Sequence, residues 1–133
     1  MTRSVTTYEY DGELDRVVDG DTAYIKVSKS TTHTVDFGFN VKTTFTVLNF
    51  AVIDFRLLAI DAPELRGIKK LAGEKAKEEL ISLLTGAKLR IVTSKMGKYG
   101  RWLARIYVID ADGSLMDVNQ HMIDGGFAVP YPA

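Results

Sequence analysis

The chain has 133 residues, no cysteine, and 17 basic against 17 acidic side chains. That length suits one domain, residues 1–133, around one hydrophobic core. The lack of cysteine excludes disulfides and thiolate metal sites, and no run approaches the roughly 18 apolar residues of a membrane helix.

The opening residues, MTRSVTTYEYD, carry no apolar leader, which gives the expectation of a soluble, intracellular protein. Charge is unevenly placed. Residues 1–65 hold 6 basic and 10 acidic side chains, residues 66–101 hold 10 and 3, and residues 102–133 hold 1 and 4. A basic block between acidic flanks fits an anionic partner as well as a lysine-rich helix face turned to solvent.

In chain order, Tyr8 to Val18 reads as a strand that runs into "DGDT", an Asp-Gly hairpin signal, with a second strand expected from Ala23 to Val27. Val35, Phe37, Phe39 and Val41 alternate with Asp36, Gly38 and Asn40, so residues 28–49 are expected to form a long hairpin with Gly38 and Asn40 at its turn. Phe45 to Ile60 is nearly continuous apolar sequence and reads as one strand. After Pro63 the period changes: Ala72, Ala76, Leu80, Leu83 and Leu84 share a helix face, Lys75 and Glu79 stand at i, i+4, and Gly86 sits where a helix ends. Strands at Lys88–Thr93 and Trp102–Ile109 flank "SKMGKYGR", and a short helix from Met116 to Asp124 ends at Gly125-Gly126. This order suits a small closed barrel with helices packed on it.

Four acids fall at strand ends. Asp19 and Asp21 flank Gly20 in a turn, while Asp61 and Glu64 end the long apolar run. If the two strands are neighbours these carboxylates crowd one another, and only a cation relieves the repulsion. Oxygen donors without cysteine or a histidine cluster suit Ca²⁺ or Mg²⁺. Arg56, inside an apolar strand, must bring its guanidinium to a carboxylate, a phosphate or the surface. Lys98, Tyr99 and Arg101 form a second cationic group in the glycine-flanked loop "GKYGR", and an arginine fork can match a phosphate and its developing charge. Together these are parts for hydrolysing a phosphodiester. A Walker loop and a Gly-x-Ser-x-Gly elbow are missing, and His33 and His121 stand far apart.

Five motifs, "VVDGDT", "FRLLAIDAPE", "GEKAKEEL", "KYGRWLARIY" and "VNQHMIDGGFA", occur in the order in which the staphylococcal (micrococcal) nuclease family carries them. The chain resembles that family from about Leu14 to Ala128, interrupted by residues 28–49. The resemblance implies a mainly β, α+β fold: a five-stranded OB-fold barrel with flanking helices and, here, an extended β-hairpin insertion. It implies a Ca²⁺-dependent endonuclease that cuts DNA, and RNA too, with little base preference, leaving 3′-phosphate and 5′-hydroxyl ends. Asp21 and Asp61 would ligate Ca²⁺ directly, Ala62 through its backbone carbonyl, and Asp19 through water. Glu64 would orient or deprotonate the attacking water, Arg56 and Arg101 would grip the scissile phosphate, and Lys98 and Tyr99 would contact the nucleotide. The 28–49 arm is longer than in familiar members and offers a contact for substrate or for a second chain. The competing expectation is a non-catalytic OB module that binds nucleic acid.

Overall fold

The computed structural model describes residues 8–96 and 102–131. Its strands are β1 (Tyr8–Asp19), β2 (Thr22–Gly38), β3 (Val41–Leu57), β4 (Ile60–Asp61), β5 (Lys88–Met96), β6 (Trp102–Ile109), β7 (Leu115–Asp117) and β8 (Val129–Pro130). The helices are α1 (Lys70–Leu84), entered through a 3-10 turn at Gly67–Lys69, and α2 (Val118–Asp124). No helix among the described residues is long and apolar enough to cross a membrane.

The sheet runs β3-β2-β1-β5-β6-β7, and a parallel contact of β3 with β6, Phe55 to Leu57 against Trp102 to Ala104, closes five of these strands into a barrel. Period-two alternation fills it. Ala23, Ile25, Val27, Phe55, Leu57, Leu89, Ile91, Ala104 and Ile106 point inward and are buried. Helix α1 closes one side with Ala76, Leu80 and Leu84, and α2 adds Val118 and Met122. The expected barrel with flanking helices is what the chain forms.

Several local expectations need correction. Ala72 is exposed, and Gly73 takes the buried place on α1, because the helix packs on the segment leaving β4 and no side chain fits there. A Cβ on Gly73 would collide with the Glu64 carbonyl oxygen and lie 2.9 Å from the Pro63 oxygen. Glu79 turns to His121 at 2.7 Å, bridging the two helices, and the i, i+4 pair on α1 is Lys70 with Glu74 at 4.0 Å. Met116 belongs to β7, and α2 begins at Val118, where Asp117 caps it by accepting from the Gln120 N–H at 3.1 Å. The run from Phe45 to Ile60 is two strands, since a turn at Leu58-Ala59 separates β3 from β4.

Strands β2 and β3 stay paired far beyond the barrel, from Thr22↔Arg56 to Gly38↔Val41. The hairpin turns at Phe39 and Asn40, whose φ values of 55° and 63° are both positive, as a two-residue hairpin turn requires. Gly38, also at positive φ, donates its N–H to the Asp36 carboxylate at 2.8 Å.

One buried polar side chain ties the layers together. The Asn119 Oδ1 accepts the Ile106 N–H at 3.1 Å, and its Nδ2 donates to the carbonyls of Leu58 and Ala104, both at 3.0 Å. Asn119→Ala takes the partner from the Ile106 N–H and the Leu58 carbonyl, while the Ala104 carbonyl still accepts the Leu58 N–H at 2.8 Å, so calorimetry should record a loss of about 2–4 kcal/mol. Gly73→Ala should also destabilise, by about 1–3 kcal/mol, against the roughly 1 kcal/mol gain that helix propensity alone gives. Chemical denaturation checks the sign.

Candidate functional site

The site forms at the end of the barrel where β1 turns into β2 and β3 gives way to β4. Gly20 packs under this end: a Cβ there would lie 2.6 Å from the Ala76 Cβ and 2.8 Å from the Ala62 Cβ. Only glycine lets the turn approach α1 and the β4 exit so closely, and that approach fixes Asp21 beside Ala62.

Asp21 is 5% exposed. Its Oδ2 accepts the Ala62 N–H at 2.9 Å, its Oδ1 accepts the Thr22 hydroxyl at 3.1 Å, and its own N–H donates to the Asp19 carboxylate at 3.1 Å. Burial pushes the Asp21 carboxyl up to about 6; a hydrogen bond from the neighbouring Asp19 carboxyl and its charge push the same way, while the Ala62 N–H and Arg56 oppose them.

Arg56 and Asp61 are five residues apart, so on an unbroken strand they would face opposite sides. The turn resets the alternation. Ala59 adopts φ 65°, a left-handed conformation that a non-glycine residue takes at some cost, and the chain folds back far enough for the Arg56 Nη2 to donate to the Ile60 carbonyl at 3.4 Å. The same nitrogen then lies 3.7 Å from the Asp21 Oδ2 and 3.5 Å from the Asp61 Oδ1. Two carboxylates from distant parts of the chain thus converge on one guanidinium. The Asp61 side chain is 50% exposed, so the group opens to solvent on that side.

Among the described residues no three His, Cys, Asp or Glu side chains converge closely enough to hold an ion by themselves. The ligating atoms brought together are the oxygens of two carboxylates, Asp21 and Asp61, with Ala62 beside them through its N–H. Such a set fits a hard cation that completes its shell with water and a phosphate oxygen, and not zinc or copper.

The remaining predicted residues divide. Asp19 touches Asp21 through the N–H that Asp21 donates to its carboxylate. Glu64 is exposed in the loop leaving β4, its backbone held against α1 at Gly73. Arg101, Lys98 and Tyr99 lie outside the described residues. Sequence reading missed Tyr131, whose ring lies 5.5 Å from the Arg56 guanidinium carbon. The pairing of β4 with β8, Asp61 against Val129, puts it there, helped by the Tyr131 N–H donating to the Ala59 carbonyl at 2.9 Å. A two-residue strand leaves almost no periodicity, and no local signal marks this contact.

A family model described as staphylococcal nuclease homologue matches residues 54–133. That span contains Arg56, Asp61, Glu64 and Arg101; Asp19 and Asp21 lie before it and reach the site through the β2–β3 pairing. Among curated proteins no sequence matches significantly. Solved structures with a similar fold include extended Tudor domain TD3 from mouse TDRD1 in complex with a MILI peptide containing dimethylarginine. It aligns at TM-score 0.66 and 8% identity, over 99% of this chain and 97% of that chain. The same mouse domain in a second structure aligns at 0.62 and 8%, over 98% and 96%. The human TDRD1 extended Tudor domain, in complex with a symmetrically dimethylated peptide, aligns at 0.60 and 9%, over 98% and 94%. At such identities the likeness is one of fold. The family match, covering more than half of the chain and holding the Arg56–Asp61 turn, places this protein in the staphylococcal nuclease homologue family.

Proposed function

We propose that the chain is a metal-dependent nuclease, an endonuclease that hydrolyses phosphodiester bonds of DNA, and of RNA as well, with Ca²⁺ as its ion. The observation that supports it most is the convergence of Asp21 and Asp61 on Arg56. A protein that only binds a polyanion gains nothing from two carboxylates beside its phosphate-gripping arginine, because they repel the ligand. A hydrolase needs them.

In this reading Asp21, Asp61 and the Ala62 carbonyl hold the ion, with Asp19 acting through water. When bound, the ion supplies positive charge to a phosphate oxygen and to the attacking water. Arg56 has five N–H donors, more than its two carboxylate neighbours consume, and turns the remainder to the scissile phosphate. The Tyr131 ring supports the guanidinium from one side. Glu64, exposed in the loop leaving β4, would orient or deprotonate the water. Arg101 supplies a second fork for the charge that builds on the phosphorus, and Lys98 and Tyr99 contact the nucleotide. Product ends would be 3′-phosphate and 5′-hydroxyl.

A second reading, a non-catalytic OB module that binds nucleic acid, is supported on its non-catalytic side by the fold neighbours, two of whose structures hold dimethylated peptides. Cleavage of single-stranded DNA, duplex DNA and RNA with Ca²⁺, Mg²⁺ or a chelator separates the two. The nuclease reading expects Ca²⁺-dependent cutting, lost in Asp21→Asn and reduced about 100-fold or more in Arg56→Lys, since a point charge cannot replace a bidentate fork. Retained binding with no cutting under any condition would favour the module.

The Asp21 charge also sets a pH dependence. Its carboxyl is raised to about 6 in the fold, against 3.8 unperturbed. The folded state therefore binds the proton more tightly than the unfolded state, and stability falls as pH rises from about 4 through 6. Asp21→Asn should stabilise the metal-free protein above pH 6, by at most about 3 kcal/mol, with the gain vanishing near pH 4. Thermal unfolding at the two pH values checks this. Added Ca²⁺ should raise the melting temperature of the wild type and leave Asp21→Asn unmoved.

A further inference from the structure

Among the described residues the arm leaves the barrel with open outer edges: β1 covers β2 only as far as Ser28, and β6 meets β3 only at Phe55–Leu57. Edges of this kind are usually blunted by charge, proline or bulges. On β3 the reverse holds: between Val41 and Ile53 the single charged side chain is Lys42, with no proline, and Phe45, Val47, Leu48, Phe50 and Val52 are exposed, Leu48 by 55% and Phe50 by 57%.

We infer that the outer edge of β3 is an interface between two copies of this chain, paired antiparallel about a two-fold axis at Leu48. Residues opposite each other across such an axis must point to the same face of the sheet, so the axis passes through a residue and partners share sequence parity. With the axis at Leu48, Lys42 of each copy stands opposite Asp54 of the other. Phe50 meets Thr46, Val52 meets Thr44, and Phe45 meets Ala51, each large side chain facing a smaller one. Moving the axis one residue toward the tip sets Lys42 against Val52, and one residue the other way sets it against Arg56, a like charge. One register among the three pairs both charges.

A second observation converges on the same residue. Asp54 has a buried carboxylate oxygen, Oδ1, with no hydrogen-bond partner among the described residues, an arrangement that costs stability until a cation or donor approaches. Lys42 of the second copy brings one once the carboxylate rotates to turn this oxygen, closed to solvent in the single chain, toward the strand edge. The paired ladder ends at Asp54, since β6 occupies the edge from Phe55 onward, and the two Arg56 sites then lie roughly 50 Å apart along a continuous four-stranded sheet.

Sedimentation equilibrium on the full chain tests the inference. The wild type should sediment at twice the 14.8 kDa chain mass. Leu48→Lys, which puts two like charges on the axis at an exposed arm position, should sediment as a monomer with an unchanged far-ultraviolet dichroism spectrum. Lys42→Asp should weaken the dimer by ~10-fold or more, and Lys42→Asp with Asp54→Lys should restore it. Should the Asp54 change disturb folding, Leu48→Lys alone decides. A monomeric wild type at millimolar concentration overturns the inference, as does a Leu48→Lys protein that remains dimeric. So does a monomer whose nucleic-acid binding falls with Leu48→Lys, which would make the arm a substrate contact.

Discussion

Everything at the candidate site depends on one guanidinium held between two carboxylates. Asp21 is buried, and its charge is tolerated because the Ala62 N–H and Arg56 offset part of the desolvation. Asp61 joins the same arginine from the other side of the turn. Neither carboxylate would reach Arg56 without particular backbone events: Gly20 allowing the β1–β2 turn to lie under Ala62, and Ala59 breaking the alternation between β3 and β4. The surrounding contacts serve these two events. Gly73 lets α1 press against the Glu64 carbonyl, Asn119 fastens the Leu58 carbonyl to β6, and β8 lays Tyr131 over Arg56.

The barrel and the arm are one continuous β2–β3 ladder with two different environments. Up to Val27 and Ile53 the inward side chains meet the core. Past that point the same alternation continues with nothing to cover it, and Phe37, Phe39 and Phe45 stand in solvent, Phe39 by 98%. A two-stranded ribbon is marginal on its own. This one is anchored at its base by the barrel, locked at its tip by the Asp36–Gly38 turn bond, and braced midway by Asn49 donating to Thr31 and by His33 stacked on Phe45. The arm is therefore ordered without being buried, a surface that a second chain or a ligand can use.

Much of this was legible in the sequence because it rests on local patterns. Alternation marked β1, β2 and the arm, Asn40 and Gly38 marked its turn, and Gly86 and the Gly125-Gly126 pair marked helix ends. That Asp21, Arg56 and Asp61 share one site was implied by the resemblance of the five motifs to a family, since spacing alone left the convergence conditional on neighbouring strands. What escaped was non-local. The place of Gly73 on the buried face depends on a backbone that arrives from β4, and Ala72 looks equally suitable from periodicity. Helix spacing lets Glu79 pair with Lys75, yet Glu79 meets His121, distant in sequence, at 2.7 Å. The break at Leu58-Ala59 carries no glycine or proline, so an apolar run concealed the turn that makes the site. Tyr131 reaches Arg56 through a two-residue strand that no periodicity could reveal.

In the proposed reading the Asp21–Asp61 pair holds a cation. Carbon-13 NMR of the aspartate carboxyls, followed through pH with chelator and then with Ca²⁺, is the sharpest test. The Asp21 midpoint should lie near 6 without the ion and fall when Ca²⁺ is added. An Asp21 midpoint that ignores Ca²⁺ would rule out a bound cation and leave the Arg56 cluster a structural ion pair in a barrel of this family.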